Sequence, residues 1–462
     1  MVPVDSLALA DGALSAMAAH VMSVDGRAGP RGHRDAQRLL VIGAGPIRVA
    51  AFGTWRQLGL DVVLVDGHEQ ERYDELVAET YSFDARDSTA DLESLRRIAK
   101  GCDGITTLAD GSQRTVALLA DELGLPGIGV DAGNTARSKA LQRQVCQDAG
   151  LRVPRWARVA SVADLDAFYA DGPLSAVLKP SDSAAGSGVL RVETKAEAAR
   201  HWPIVKSLSP SRVGVIEEFL DGREICVDAV VRGGEVLFVS SVDCEHMRTI
   251  GFLCTSSSYA TVNPDVEPAT ALVRRIVSAV GVDTGAVHAE FKIGSDDVWT
   301  IVEVGLRPGG ALVPELTVKV SGVDLYAAQA LAALGESDPA RPDCQVVAPF
   351  AQARYLVGEG NVQRFVPPAD VLRDLPDVKV VRQQILPGQR ARMPLSEAGR
   401  AGYAFGWGPD RIGLDTQLRT AIELLGTGMG ITVRGNDPDD LMSSEHGPGP
   451  WWPRTQWEEQ CD

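Results

Sequence analysis

Lysine is rare in this chain of 462 residues, with 8 against 37 arginines, and 45 basic residues face 62 acidic ones for a formal net charge of −17. So acidic a molecule repels phosphate backbones and anionic lipid as a whole, which argues against nucleic-acid and membrane-surface partners. Any anionic ligand has to be held by local groups. Long apolar runs are missing too: none approaches the ~20 residues that a membrane-spanning helix needs. The seven cysteines show neither CxxC pairs nor histidines at metal spacing, which speaks against a disulfide framework or a zinc site and for a reducing, cytoplasmic setting.

What is present suits a large globular protein. The composition is 45% hydrophobic and 23% charged, and the length suggests roughly three domains at ~150 residues each. Residues 1–37 read as a flexible tail, since the apolar piece LALADGALSAMAAHVM has no basic region before it and so is no signal peptide. Residues 436–462 have loop composition and read as a second tail.

The segment RLLVIGAGPIRVAAFGTWRQLGLDVVLVDG reads as strand, glycine turn, helix and strand ending at Asp66. Alternation continues to residue 133 and implies a small parallel sheet. Gly43, Gly45 and Asp66 open a dinucleotide fingerprint, but Arg48 occupies the third glycine position, and tight helix packing explains the small residues equally well. A second region begins with TARSKALQRQVCQDAG, read as one helix, and runs to about 335. Beyond 345 come short β-like runs and a closing helix, TQLRTAIELLG, expected to form an α+β domain.

Four stretches of the second region carry chemistry. VHAEFKIGSDDVWTIVEVG predicts a hairpin with the loop GSDD and Ile293 opposite Val298. In that register Glu290 faces Ile301 and His288 faces Glu303. Glu290 and Glu303 then become diagonal neighbours on one face, while Val302 and Val304 join the core face. Two carboxylates so placed resist ionisation without a cation, and hard oxygen donors suit Mg²⁺; a solvated face with Glu290 paired to Lys292 or His288 is the alternative.

AVLKPSDSAAGSGVLRV is a strand ending in Lys179 and a small-residue loop with Ser183, Gly186, Ser187 and Gly188, suited to phosphate or simply to a mobile hairpin. Lys139 opens this region on a helix, where a solvated position explains it as well. VGVIEEFLDGREICVDAVV places Glu217, Glu218, Phe219 and Leu220 before a turn and Glu224 after it.

Taken in order, these parts resemble the ATP-grasp superfamily, and HAEFKI followed by IVEVGLRPGG is similar to its carboxylate-amine ligases, which include bacterial L-amino acid ligases (dipeptide synthetases). The resemblance covers residues 38 to 435. It implies an α/β and α+β multidomain protein: a Rossmann-like parallel-sheet domain at 38–133, an ATP-grasp domain at 134–335 with a mobile lid at about 155–222, and a C-terminal ligase domain at 336–435. It further implies that Lys139, Lys179 and the loop Ser183–Gly188 bind ATP phosphates, that Glu217, Glu218, Phe219 and Leu220 line the adenine, and that Glu224 meets the ribose. Glu290 and Glu303 would hold one or two Mg²⁺ ions, with Mn²⁺ as a substitute. Lys179 and Arg307 would be catalytic, and His288, Arg307, Gly309 and Gly310 would border the substrate.

Many superfamily members carry Asn two residues after the second metal glutamate; this chain has Gly305, which leaves the ion count open. The expected reaction joins a carboxylate, of an amino acid, to an amine through an acyl phosphate. The expected partners are small molecules, with a homodimer left open. Competing readings are a carboxylase or a ligase of another carboxylate, a nucleotide-binding regulator, and an oxidoreductase built on Gly43, Gly45 and Asp66. His288 is a candidate base, and CEHMRTIGFLCTSSSYATVNP, with Arg248, is a candidate substrate wall.

Overall fold

The computed structural model describes residues 36–436 apart from 45–47, 68–72, 74, 86–90, 173, 248–251, 341–343 and 395–398. All but residues 36, 37 and 436 of the two expected tails, and Arg248, lie outside the described residues. No helix among them is long and apolar enough to cross a membrane.

The first sheet is parallel. Strands β1 (Arg38–Ile42), β2 (Asp61–Val65), β3 (Glu79–Tyr81) and β4 (Gly104–Thr106) lie in the order β3-β2-β1-β4. Near-continuous apolar strands such as RLLVI belong in a sheet covered on both faces, and Leu39 to Ile42 are fully buried. Asp66 Oδ2 accepts from Ala44 N at 2.8 Å, so this carboxylate serves the glycine turn itself. Arg48, in the third glycine position, reaches across to the Gly309 carbonyl at 2.7 Å. The residue that breaks the dinucleotide fingerprint ties this sheet to the far side of the cleft.

A small antiparallel sheet follows, made of β5 (Trp156–Val159), β6 (Ala176–Pro180), β7 (Leu190–Val192) and β8 (Gly214–Glu218), in the order β5-β8-β6-β7. The stretch read as one helix before it is two, Val130–Ala136 and Lys139–Asp148. The break falls at Ser138, which adopts extended backbone and caps the second helix by accepting from Leu141 N.

The remaining strands form one sheet of ten: β9 (Arg223–Arg232), β10 (Glu235–His246), β11 (Cys254–Ala260), β12 (Gly285–Ile293), β13 (Trp299–Gly305), β14 (Phe350–Asn361), β15 (Val378–Gln383), β16 (Arg390–Ala391), β17 (Gly402–Gly408) and β18 (Thr432–Arg434). Its main path is β13-β12-β9-β10-β11-β14-β17-β15. The stretch after 345 therefore adds strands to an existing sheet through β11–β14 pairing and builds no sheet of its own. Its helix is longer than expected, Arg411–Met429, and packs Leu414, Leu418, Ile422 and Leu425 into a core with Leu356 and Ala404.

The face of β9 and β12 turned from the cleft carries Val227, Ala229, Val287, Ala289 and Phe291, packed on Val273, Ile276 and Val277 of helix Val266–Val280. Phe291 is fully buried, worth about 1.5–3 kcal/mol in removed apolar surface.

The β12–β13 register differs from the expectation by one residue: Ile293 pairs with Trp299, not Val298. Continued regularly, that slip would place Glu303 opposite Ala289 on the core face. A bulge prevents it. Phe291 pairs with Ile301 and Glu290 with Glu303, leaving Val302 as the extra residue. Ile301 thereby joins the core instead of the carboxylate face, Val302 leaves the core, and His288 faces Gly305. The two glutamates end directly opposite each other rather than diagonal.

Candidate active site

All three sheets contribute to a cleft of about 1350 Å³, counting its mouth. Alternation along β9 puts Glu224 and Cys226 on its floor with Asp228 buried on the same face, and alternation along β12 puts His288, Glu290 and Lys292 beside them. The partners are in register: Lys292 with Glu224, Glu290 with Cys226, His288 with Asp228. A polar ladder thus backs onto the apolar core.

The cations expected to meet phosphate are each held by an acid. Lys139 Nζ lies 2.9 Å from Glu303 Oε1 and donates to the Ser183 carbonyl at 2.8 Å, so it also anchors the small-residue loop. Its place in the first turn of helix Lys139–Asp148 runs against the helix dipole, a cost that Glu303 offsets. Lys179 Nζ, from β6, sits 2.8 Å from Glu217 Oε2 on β8. Arg143 Nε stands 2.7 Å from Glu217 Oε1 as an ion pair, without hydrogen-bond alignment. Burial lowers Lys179, against the pull of Glu217; burial works to raise Glu217, but Arg143 and Lys179 outweigh it and hold it low.

Arg307 is gripped at both ends of its guanidinium by Asp110, at 2.7 Å each. Burial opposes the Asp110 charge, yet Arg307 brings this carboxyl down to about 2. Asp110 belongs to the parallel-sheet region, at the turn Asp110–Ser112, and sequence reading missed it. Arg143 and Asp228 were missed too, because their partners are distant in the chain; Lys292, expected as a possible partner of Glu290, and His246, from the expected substrate wall, both pair with Glu224. Glu224 is held low, against burial, by His246 Nε2 at 3.1 Å and Lys292 Nζ at 3.0 Å.

Glu290 has no lysine or arginine partner among the described residues. Burial pushes it up, and the Glu303 charge adds to this against a contact with His288. A half-buried pair of facing carboxylates is a donor set that suits a hard divalent cation; Glu290 and Glu303 fit the expected ion. Gly305 contributes no oxygen, and a Cβ there would stand 3.4 Å from Asp110 Oδ1. A longer side chain would displace the Asp110–Arg307 pair.

His288 donates or accepts at Nδ1 with Asp228 Oδ1, 3.0 Å away, while Nε2 lies 3.4 Å from Glu290 Oε1. Burial opposes the imidazolium, but the flanking Asp228 and Glu290 push His288 up to about 10. It is clamped rather than free to act as a base.

Gly309 does not open space for a substrate: a Cβ there would meet Asp228 Oδ2 at 2.7 Å and His288 Nδ1 at 2.8 Å. Its backbone N–H instead donates to Asp228 Oδ1 at 2.9 Å. Gly309→Ala is expected to destabilise the fold by about 1–3 kcal/mol through overpacking, read as a lower denaturant midpoint; an unchanged midpoint would mean the contact is slack. Gly188 also departs from expectation, with φ +74 and contacts to Pro180 and Leu208 rather than a place in the cleft wall. Ser183, Gly186, Ser187, Glu218, Phe219, Leu220 and Gly310 do line the cleft, as do His246, Phe252 and Cys254 from the expected substrate wall. The guanidinium carbon of Arg191 covers the Phe219 ring at 3.7 Å. Ala311 and Leu312, just beyond Gly310, both take left-handed backbone, at φ 48 and 57, a strained stretch at the cleft's edge.

The ATP-grasp domain family matches residues 173–315, and the ATP-grasp N-terminal domain family matches residues 53–127. The chain thus carries ATP-grasp N-terminal and ATP-grasp domains. Among its relatives are ligases: carnosine synthase 1 of Homo sapiens is 26% identical over 67% of this chain and 41% of that protein. Alanine–anticapsin ligase of Bacillus subtilis is 28% identical over 48% of this chain and 52% of that one. The chain thus spans about half the length of these curated relatives. The L-amino acid ligase of Bacillus licheniformis superimposes with a TM-score of 0.71 at 21% identity, covering 85% of this chain and 98% of that one. That likeness concerns the fold.

Proposed function

We propose that the chain is an ATP-dependent carboxylate–amine ligase acting on amino acids or related small molecules through an acyl phosphate. The observation that carries this reading is the convergence of Lys139, Lys179 and Arg307 with two facing carboxylates on one cleft. A carnosine synthase and an alanine–anticapsin ligase among the relatives support the substrate class.

In this mechanism a substrate carboxylate oxygen attacks the γ-phosphorus of ATP, and the bond to the bridging oxygen breaks to release ADP. The amine lone pair then attacks the acyl carbon; phosphate leaves with the C–O electron pair, and the nitrogen gives up a proton. Negative charge grows on the transferring phosphoryl oxygens and then on the tetrahedral oxygen. Lys179 and Arg307 are preorganised cations for these two charges. Mg²⁺ held by Glu290 and Glu303 supplies neutralisation at the phosphates when bound. Lys139 orients the loop Ser183–Ser187 over the nucleotide. The β5–β8 sheet closes as a lid, Phe219 and Leu220 wall the adenine, and Glu224 accepts from the ribose.

The test is phosphate release from ATP with panels of amino acids, with mass analysis of the product. Amino-acid-dependent release and a mass equal to the two substrates less water are expected. No dependence across a broad panel would sink the amino acid reading.

A further inference from the structure

The floor of the cleft carries a donor set that chain spacing hides. The cysteines show no metal spacing along the sequence, yet strand pairing places Cys226 opposite Glu290 and Asp228 opposite His288. Cys226 Sγ, a His288 ring nitrogen and a Glu290 carboxylate oxygen all lie within 4.8 Å of one another. We propose that Cys226, His288 and Glu290 form a seat for a borderline transition-metal dication of the Zn²⁺ and Co²⁺ class.

Three observations carry this. Donors around one tetrahedral ion, with bonds of about 2.0–2.3 Å, stand roughly 3.3–3.8 Å apart. His288 Nε2 and Glu290 Oε1 are already 3.4 Å apart, long for a charge-assisted hydrogen bond and suited to two ligands of one ion.

Next, the ring is oriented as a metal ligand is. With Nδ1–H donated to Asp228 Oδ1 at 3.0 Å, Nε2 faces Glu290 and the cleft, and an arriving ion that displaces its proton meets the lone pair there. A carboxylate behind the histidine fixes its tautomer and raises its basicity. Asp228 is itself fixed by the Gly309 N–H at 2.9 Å, and Gly309 has no Cβ to disturb the pair.

Finally, the donor types discriminate. A thiolate and an imidazole favour Zn²⁺ or Co²⁺ over Mg²⁺, which takes oxygen. Glu290 is common to this seat and to the expected Mg²⁺ site, so a transition ion competes there with Mg²⁺. Cys244 Sγ lies 3.0 Å from Cys226 Sγ but is outside the set of three, which makes it a control.

The seat is read without nucleotide and does not depend on the ligase reading. The full chain, reduced and stripped with a chelator, is titrated with Co²⁺ while the near-ultraviolet thiolate-to-cobalt band is followed. A band saturating at one equivalent is expected. Cys226→Ser should abolish it and weaken Co²⁺ binding about tenfold or more in equilibrium dialysis, whereas Cys244→Ser should keep it. No band in the unaltered chain, or a band that survives Cys226→Ser and so arises from another thiol such as the exposed Cys344, overturns the proposal. Should Cys226→Ser not fold, His288→Gln must show the same loss of affinity, and unchanged affinity overturns it equally. A chain with amino-acid-dependent ATP turnover and no cobalt band would lose this seat and leave the ligase reading standing.

Discussion

Arg307→Ala is expected to retain nucleotide binding and to lose ligation by about 10²–10³-fold in kcat, the scale seen when one preorganised group facing a developing oxyanion is removed. The nucleotide contacts drawn above come from Lys139, Lys179 and the β6–β7 loop, which leave ground-state affinity largely intact without Arg307. Its guanidinium is instead fixed by Asp110, which accepts from Nε and Nη2 at 2.7 Å each, and in the proposed mechanism it faces the phosphate that leaves the acyl carbon. The variant also strands Asp110, a buried carboxylate, which costs stability when a partner is removed. Asp110→Asn combined with Arg307→Ala separates the two effects: the double variant should recover thermal stability and remain inactive. Full turnover by Arg307→Ala would remove this residue from the mechanism.

Glu290→Gln is expected to act in opposite directions on stability and on catalysis. The metal-free Glu290 carboxyl is raised, chiefly by burial and then by Glu303. A raised acid favours the fold while protonated, so its contribution is present below its unfolded pKa and is lost as pH rises through the folded value. Above the folded value the ionised side chain therefore works against the metal-free fold. The amide removes that charge, and a melting temperature about 2–4 °C higher without metal corresponds to ~1 kcal/mol in a domain of one to two hundred residues. The same change should abolish stabilisation by added Mg²⁺ with nucleotide, and turnover with it. A metal-free melting temperature that falls, together with an intact Mg²⁺ response, would show that Glu290 is an ordinary polar wall residue.

The sequence made the facing pair Glu290 and Glu303 legible for a reason that was partly wrong. Alternation pointed to a shared face for Glu290 and Glu303, but the true loop is one residue longer than GSDD, and the bulge at Val302 restores what the slip would have undone. A bulge leaves little trace in a single sequence because Val302 is as apolar as its neighbours. The cleft-facing ladder of Glu224, Cys226 and Asp228 follows the same alternation and could have been read. Asp110 could not, since its meeting with Arg307 spans 197 residues and depends on how two sheets dock. Gly309, expected to border the substrate, leaves the space of its missing Cβ to the Asp228–His288 pair.

Lys139 on Glu303, Lys179 on Glu217 and Arg307 on Asp110 make the resting cleft self-titrated. Such a surface works as an ion exchanger rather than an electrode: an arriving polyanion meets no bare positive field and gains purchase only by evicting carboxylates one at a time. Capture is then selective for a guest whose oxygens match three spaced cations together, and a lone inorganic phosphate, able to displace one acid, is a poor competitor.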